Sequence, residues 1–291
     1  MNKIKWNKFS KNILLIVLLF ILLYPVFFLL IGSIMGLDEI TLYLRPAMAN
    51  ISSMDSKFVK WPMFLPNIIT FESILKVLID TPEFFHMFWN STTISIGILL
   101  GQILVSIPCA WGLSQAKWTN KHKDRIMFIY IFLMLVPFQV TMLPTYLVID
   151  RLNLINSFYA IILPSIFNTM PIYIIYNFFN KIPVQIIEAS QMDGASNIQI
   201  FFKVGIPLTR SGISAALLLS YIETWNLIEQ PLLFLTSQDK WPLSLQLPNI
   251  SLEKADVAIV SSVIALILPM LILLYNQNEL EQGIASSAMR E

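Results

Sequence analysis

The sequence predicts an all-α, polytopic membrane protein with six transmembrane helices. Three observations carry that prediction. Of the 291 residues, 56% are hydrophobic and 13% charged, with a mean hydropathy of +0.69. A soluble domain of this length needs far more charge to cover its surface. Second, apolar stretches recur at the length a helix needs to cross a hydrocarbon core, roughly 20 residues. Third, lysine and arginine fall mostly on one set of connecting segments, as they do on the cytoplasmic side of membrane proteins.

The first stretch, 13–36, follows Lys3, Lys5, Lys8 and Lys11. It is longer than the apolar part of a signal peptide and has no clear small-residue cleavage site, so it reads as a retained signal anchor after a cytoplasmic segment 1–12. The segment 37–91 is too polar and proline-punctuated to span, and short surface helices are expected there. The second span, 92–114, carries Gly97 and Gly101, a pattern that permits close helix contact, either within this chain or with another. Spans at 126–148 and 157–179 are interrupted by Pro137, Pro144, Pro164 and Pro171, as hinges or as static kinks. Two further spans, 210–228 and 256–275, complete the six. Trp6, Trp89, Trp111, Trp118 and Trp241 lie near span ends, where interfacial aromatics belong.

Six spans with the N-terminus inside place the C-terminus inside as well. On that arrangement twelve of the 19 lysines and arginines are cytoplasmic, and the short outer loop 149–156 holds only Arg151. The net charge of +1 gives no reason to expect nucleic acid. Cys109 is the only cysteine, which excludes a disulfide framework and a cysteine-based metal site. His86 and His122 are too few for a histidine-rich metal centre. With no internal repeat or low-complexity linker, residues 13–291 read as a single membrane domain.

Residues 183–207 break the apolar pattern. Pro183 suits the first turn of a helix, and Gly194 suits the left-handed residue after its end. That frames a helix carrying Glu188, Ala189 and Ser190. Ser196 with Gln199 has the spacing of a capping box and starts a second short helix, which Gly205 and Pro207 are expected to stop. Small residues at 189, 190 and 195 would let another backbone approach, and Glu188 offers a negative charge to a basic partner. An amphipathic loop lying on the membrane would instead want a basic polar face; this one carries Glu188 and Asp193.

The same residues resemble the cytoplasmic signature of permeases of ABC importers. The pattern Glu-Ala-Ala, three residues, Gly, nine residues, Ile-x-Leu-Pro appears here as Glu188-Ala189-Ser190, Gly194, Val204, Ile206 and Pro207. Asn90-Ser91, Pro137, Leu143-Pro144-Thr145-Tyr146, Asn153-Leu154-Ile155-Asn156-Ser157, Asn168, Ile182-Pro183, Trp225-Asn226 and the tail from Gln282-Gly283 are similar to carbohydrate-importer permeases. That tail resembles the short C-terminal tail of the maltose-permease-like second subunit. The resemblance implies a permease of the cytoplasmic (inner) membrane that forms half of a sugar path beside a second, homologous permease. It implies an ABC ATPase dimer docked on the loop and an extracytoplasmic solute-binding protein. It also implies no cofactor in this chain, with ATP and magnesium on the ATPase. The sequence contains no phosphate-binding Gly-Lys-Ser/Thr loop, consistent with a transport subunit rather than an enzyme.

Glu223 is the one acid placed within a span. With Trp225 and Asn226 it would line a sugar path, or else sit at the interface with Asn226 capping a helix end. An ion-coupled secondary transporter is the alternative, but it calls for an inverted repeat and a midplane ion site. An intramembrane enzyme would need a motif such as His-Glu-x-x-His or Gly-x-Ser-x-Gly, and neither is present.

Overall fold

The computed structural model describes residues 2–48, 65–247 and 251–288. Every regular element among them is helical. In chain order these are α1 (Asn2–Gly32), α2 (Leu37–Met48), α3 (Glu72–Ile79), α4 (Pro82–Gln115), α5 (Asn120–Leu135), α6 (Phe138–Arg151), α7 (Tyr159–Ile166) and α8 (Thr169–Phe179). Then follow α9 (Val184–Met192), α10 (Asn197–Ile200), α11 (Ile206–Leu208), α12 (Arg210–Trp225), α13 (Glu229–Phe234), α14 (Leu243–Gln246) and α15 (Ala255–Ala288). The chain forms two compact units, one of Met1–Phe85 with Gln246–Ile267, the other of His86–Leu245 with Leu268–Glu291.

In the first unit, Ile13–Leu23 of α1 are all exposed although every one is apolar. A helix greasy on every face has lipid as its natural surrounding. Its far end is anchored differently: Met35 and Ile40 pack with Ala255 and Ile259 in a buried cluster. Lys76 of α3 pairs with Asp256 at the start of α15 at 3.1 Å. The expected short helices of 37–91 are α2 and α3, while residues 49–64 lie outside the described residues, as does Arg290.

In the second unit, Gly97 and Gly101 lie against Ile162 and Ile166 of α7; a Cβ on either would stand 2.8 or 2.3 Å from those side chains. The small-residue face therefore serves contact within this chain. α8 packs on α5 and α12, burying Ile172, Ile175, Tyr176 and Phe179.

Four helical stretches are long and apolar enough to cross a membrane: Lys11–Gly32, Pro82–Gln115, Tyr159–Phe179 and Ala255–Tyr275. Two more arise if each bent pair is one span: Lys121–Leu135 with Phe138–Arg151, turned by 90°, and Asn197–Leu208 with Arg210–Trp225, turned by 74°. Within the expected span 126–148 the chain turns at Pro137, one of the prolines expected to hinge or kink it. Val136 is extended (ψ 114°) and Pro137 opens α6. A proline has no N–H to bond back into α5 and disfavours helical backbone at the residue before it. Pro144 and Pro164 lie within α6 and α7, and neither ends its helix.

Candidate functional site

The Pro183–Pro207 loop is built from local signals upward. Pro183 is the residue just before α9 rather than its first helical residue. Gly194 has φ +80°, and the N–H of Ala195 closes the turn on the Ser190 carbonyl at 3.1 Å. The capping box forms in both directions: the Gln199 N–H donates to Ser196 Oγ at 3.3 Å, and the Ser196 N–H donates to Gln199 Oε1 at 2.8 Å.

Gly205 and Pro207 do not stop the second helix as expected. The coil continues from α10 through a π-helical segment, Phe201–Gly205, into α11, and the chain bends at Thr209. Gly205 has another task. A Cβ there would lie 2.7 Å from the Trp111 ring, so glycine lets the loop approach the end of α4. Pro207 occupies the first turn of α11, where its missing N–H costs little.

Beneath the loop, Ile182, Ile187 and Ile200 enter a core cluster that also holds Ile107, Ile175 and Phe179. Trp111 meets Phe179 edge-on at 5.1 Å, and the Phe201 ring lies 5.6 Å from Trp111 and 6.4 Å from Phe179. Three aromatic rings from α4, α8 and the loop therefore form one cluster, and such pairs add to simple area burial. The outer surface is free of this chain: Glu188, Ala189, Asp193 and Gly194 are exposed. Ser190 is half-buried, its hydroxyl donating to the Ile186 carbonyl at 2.8 Å. Met192 and Ile198 crown the turn at 87% and 70% exposure. Sequence reasoning weighted the small residues and passed over these two. The signal was their phase, out of step with the buried Ile187 and Ile200.

A polar cavity of about 270 Å³ opens where two helical lines are interrupted, beside Phe138 at the head of α6 and beside Ser165 and Asn168 at the α7–α8 break. Gln102 is fully buried; Ser220 donates its hydroxyl to Gln102 Oε1 at 2.6 Å, and Gln102 Nε2 donates to the Ser165 carbonyl at 3.0 Å. Ser165 Oγ donates to Gln230 Oε1 at 3.2 Å. Asn168 caps α8 through the Met170 N–H at 3.0 Å and turns its Nδ2 to Glu223 Oε2 at 3.4 Å. Buried polar groups persist when they are hydrogen-bonded, and inside a membrane they concentrate along substrate paths. Glu223 lines this cavity. Trp225 is turned into the core, 7% exposed, against Phe88 and Tyr221 at 5.8 Å each, and Asn226 donates to the Ile222 carbonyl of its own helix at 2.8 Å.

Asn156 and Asn90, two further asparagines that carry the family resemblance, fasten one loop. Asn153 and Asn156 have φ of 55° and 60°. Asn156 donates from Nδ2 to Ser237 Oγ at 2.7 Å, and its carbonyl accepts from Lys240 Nζ at 2.7 Å. Asn90 Nδ2 donates to the Asp239 carbonyl at 2.8 Å, and Ser91 Oγ accepts the Leu243 N–H at 2.9 Å.

Apolar helices exposed along their length, broken spans and a polar cavity between them define a multi-pass membrane transport component. Residues 102–275 match the family described as binding-protein-dependent transport system inner membrane component, and the chain belongs to that family. It is 24% identical over 271 residues to the arabinooligosaccharides transport system permease protein AraQ of Bacillus subtilis strain 168, covering 92% of this chain and 90% of that one. To the lactose transport system permease protein LacG of Rhizobium radiobacter it is 24% identical over 204 residues, 69% of this chain and 74% of that one. Its fold is similar to a chain in the crystal structure of a bacterial ABC transporter involved in the import of the acidic polysaccharide alginate. The TM-score is 0.74 at 23% identity, over 94% of this chain and 96% of that one.

Proposed function

We propose that this chain is one of two permeases in an ATP-driven carbohydrate importer. Each bent pair then counts as one span, giving six in all, with both termini and the Pro183–Pro207 loop in the cytoplasm. The loop docks on an ABC ATPase, which binds ATP and magnesium. A second, homologous permease supplies the other half of the path, and an extracytoplasmic binding protein delivers the sugar. The arabinooligosaccharide and lactose permeases similar to this chain support the carbohydrate assignment.

The observation that carries the reading is the loop's two-sidedness. Its apolar residues Ile187, Ile200 and Phe201 lock onto α4 and α8, while Glu188, Ala189 and the residues from Gln191 to Gly194 remain exposed. A rigid handle of this kind moves as a body, which a coupling element requires. α8 completes the linkage, with Phe179 of the aromatic cluster at one end and Asn168 of the cavity at the other. At 1.5 Å per residue it is a rod of roughly 16 Å between the docking loop and the proposed sugar path.

The test is co-purification from gently solubilised native membranes, wild type against Glu188→Arg. Recovery of an ABC ATPase and a second permease with wild type, with the ATPase alone lost in the variant, supports the reading. Absence of any ATPase from the wild-type preparation overturns it.

A further inference from the structure

We propose that the cavity is an electronegative filter, passing uncharged glycans and turning away those bearing carboxylate or phosphate groups. The inference deepens the reading of this cavity as the sugar path and rests on it.

Among the described lining residues Glu223 is the one with a formal charge, and no lysine, arginine or histidine faces it. A second carboxylate, Glu229, is next in sequence to the lining residue Gln230 and accepts from Nε2 of Gln139, the neighbour of the lining residue Phe138. Both acids are held by side-chain amides, Glu223 by Asn168 and Glu229 by Gln139. An amide donor orients a carboxylate without cancelling its charge. The ion pairs among the described residues, Lys76–Asp256 and Arg210–Glu279, involve no lining residue.

The other polar groups suit hydroxyls. Thr141, Thr145, Ser165 and Gln230 present uncharged donors and acceptors to the same space, the chemistry that matches a sugar ring. Against a bound anion none of them supplies a neutralising charge. A carboxylate or phosphate held within several ångströms of Glu223 meets like-charge repulsion, worth about tenfold in occupancy even in a partly solvated site.

Thiol probes read this charge without knowledge of the cargo. Cys109→Ser removes the single native cysteine, and Thr141→Cys places a reporter in the cavity wall. The complete importer in membranes is treated with a cationic trimethylammonium methanethiosulfonate and its anionic sulfonate counterpart, each normalised to its rate with a free thiol. About tenfold preference for the cation is expected, with Glu223→Gln collapsing it toward parity. Equal rates in the Glu223 protein, or a ratio indifferent to Glu223→Gln, overturn the filter.

Cargo is read in cells by deleting and restoring this permease. Loss of growth confined to neutral oligosaccharides supports the filter, and loss on oligogalacturonides overturns it. The path reading is tested separately by Thr145→Trp, which should block uptake of whichever glycan depends on the permease. If uptake survives that plug, the path reading falls, whatever the thiol ratio shows.

Discussion

Trp111 at the end of α4 stands edge-on to Phe179 at the end of α8, 5.1 Å between ring centres, and Gly205 closes against the same indole. The ends of two helices and the exposed loop are thereby tied at one aromatic joint. If the joint transmits motion, weakening it should damage transport more than docking.

Trp111→Ala is expected to cost on the order of 2 kcal/mol, below the range for fully buried aromatics because the indole is half-buried. The ATPase should still co-purify, since the exposed loop surface is untouched, while sugar uptake per ATP hydrolysed falls several-fold. Trp111→Phe, keeping a ring, should retain most coupling. Parallel loss of docking and uptake would show that the joint only holds the loop folded.

Gly194 offers a cleaner test of loop geometry. Its φ is +80° and nothing lies within 4 Å of where a Cβ would go, so the requirement is conformational rather than steric. Gly194→Ala should therefore cost roughly 1 kcal/mol through left-handed backbone strain. Gly194→Asn should cost less, because asparagine tolerates that region. Thermal melting of the purified importer, wild type against both variants, checks the order.

Met192 and Ile198 are exposed at the crown of the same turn, and apolar side chains left in water there gain by being covered. Met192→Ser with Ile198→Ser should weaken ATPase docking by about tenfold or more, with the permease's own melting temperature unchanged. Binding of the isolated ATPase to permease in nanodiscs measures this directly.

How much of this was legible in the sequence depends on the range over which each signal acts. The Ser196–Gln199 capping box and the Gly194 turn are fixed by residues within three or four positions of each other, and both formed where expected. Four of the expected spans are readable because membrane crossing is a property of continuous apolar runs. Pro137 marks the limit of that signal: a proline in an apolar run indicates a hinge or a kink, but hydropathy continues smoothly across it and does not give the 90° turn of the backbone. Gly205 and Pro207 mislead for a related reason. Both residues break helices in isolation, but here packing against Trp111 and a place in the first turn of α11 accommodate them. Glu223 could be singled out because a lone acid in an apolar span is conspicuous, whereas Trp225 was grouped with it by adjacency and faces the core instead. The cavity as a whole was invisible. Gln102 and Ser165 are 63 positions apart, Ser165 and Gln230 another 65, and only the folded chain brings them together.

That buried network yields the sharpest energetic prediction. Gln102 is fully buried and engages Ser220 and the Ser165 carbonyl through the two ends of its amide. Gln102→Leu removes both bonds at once and strands the Ser220 hydroxyl, itself fully buried. A buried polar group left without a partner costs roughly 1–3 kcal/mol, whereas replacing both partners by apolar groups is close to neutral. Gln102→Leu alone should therefore lower the melting temperature of the purified complex, and adding Ser220→Ala should restore part of the loss. The double-mutant cycle should return a coupling of about 1 kcal/mol between the two positions. Strict additivity would mean that the 2.6 Å contact contributes nothing, and that the polar wall of the cavity is held by helix packing alone.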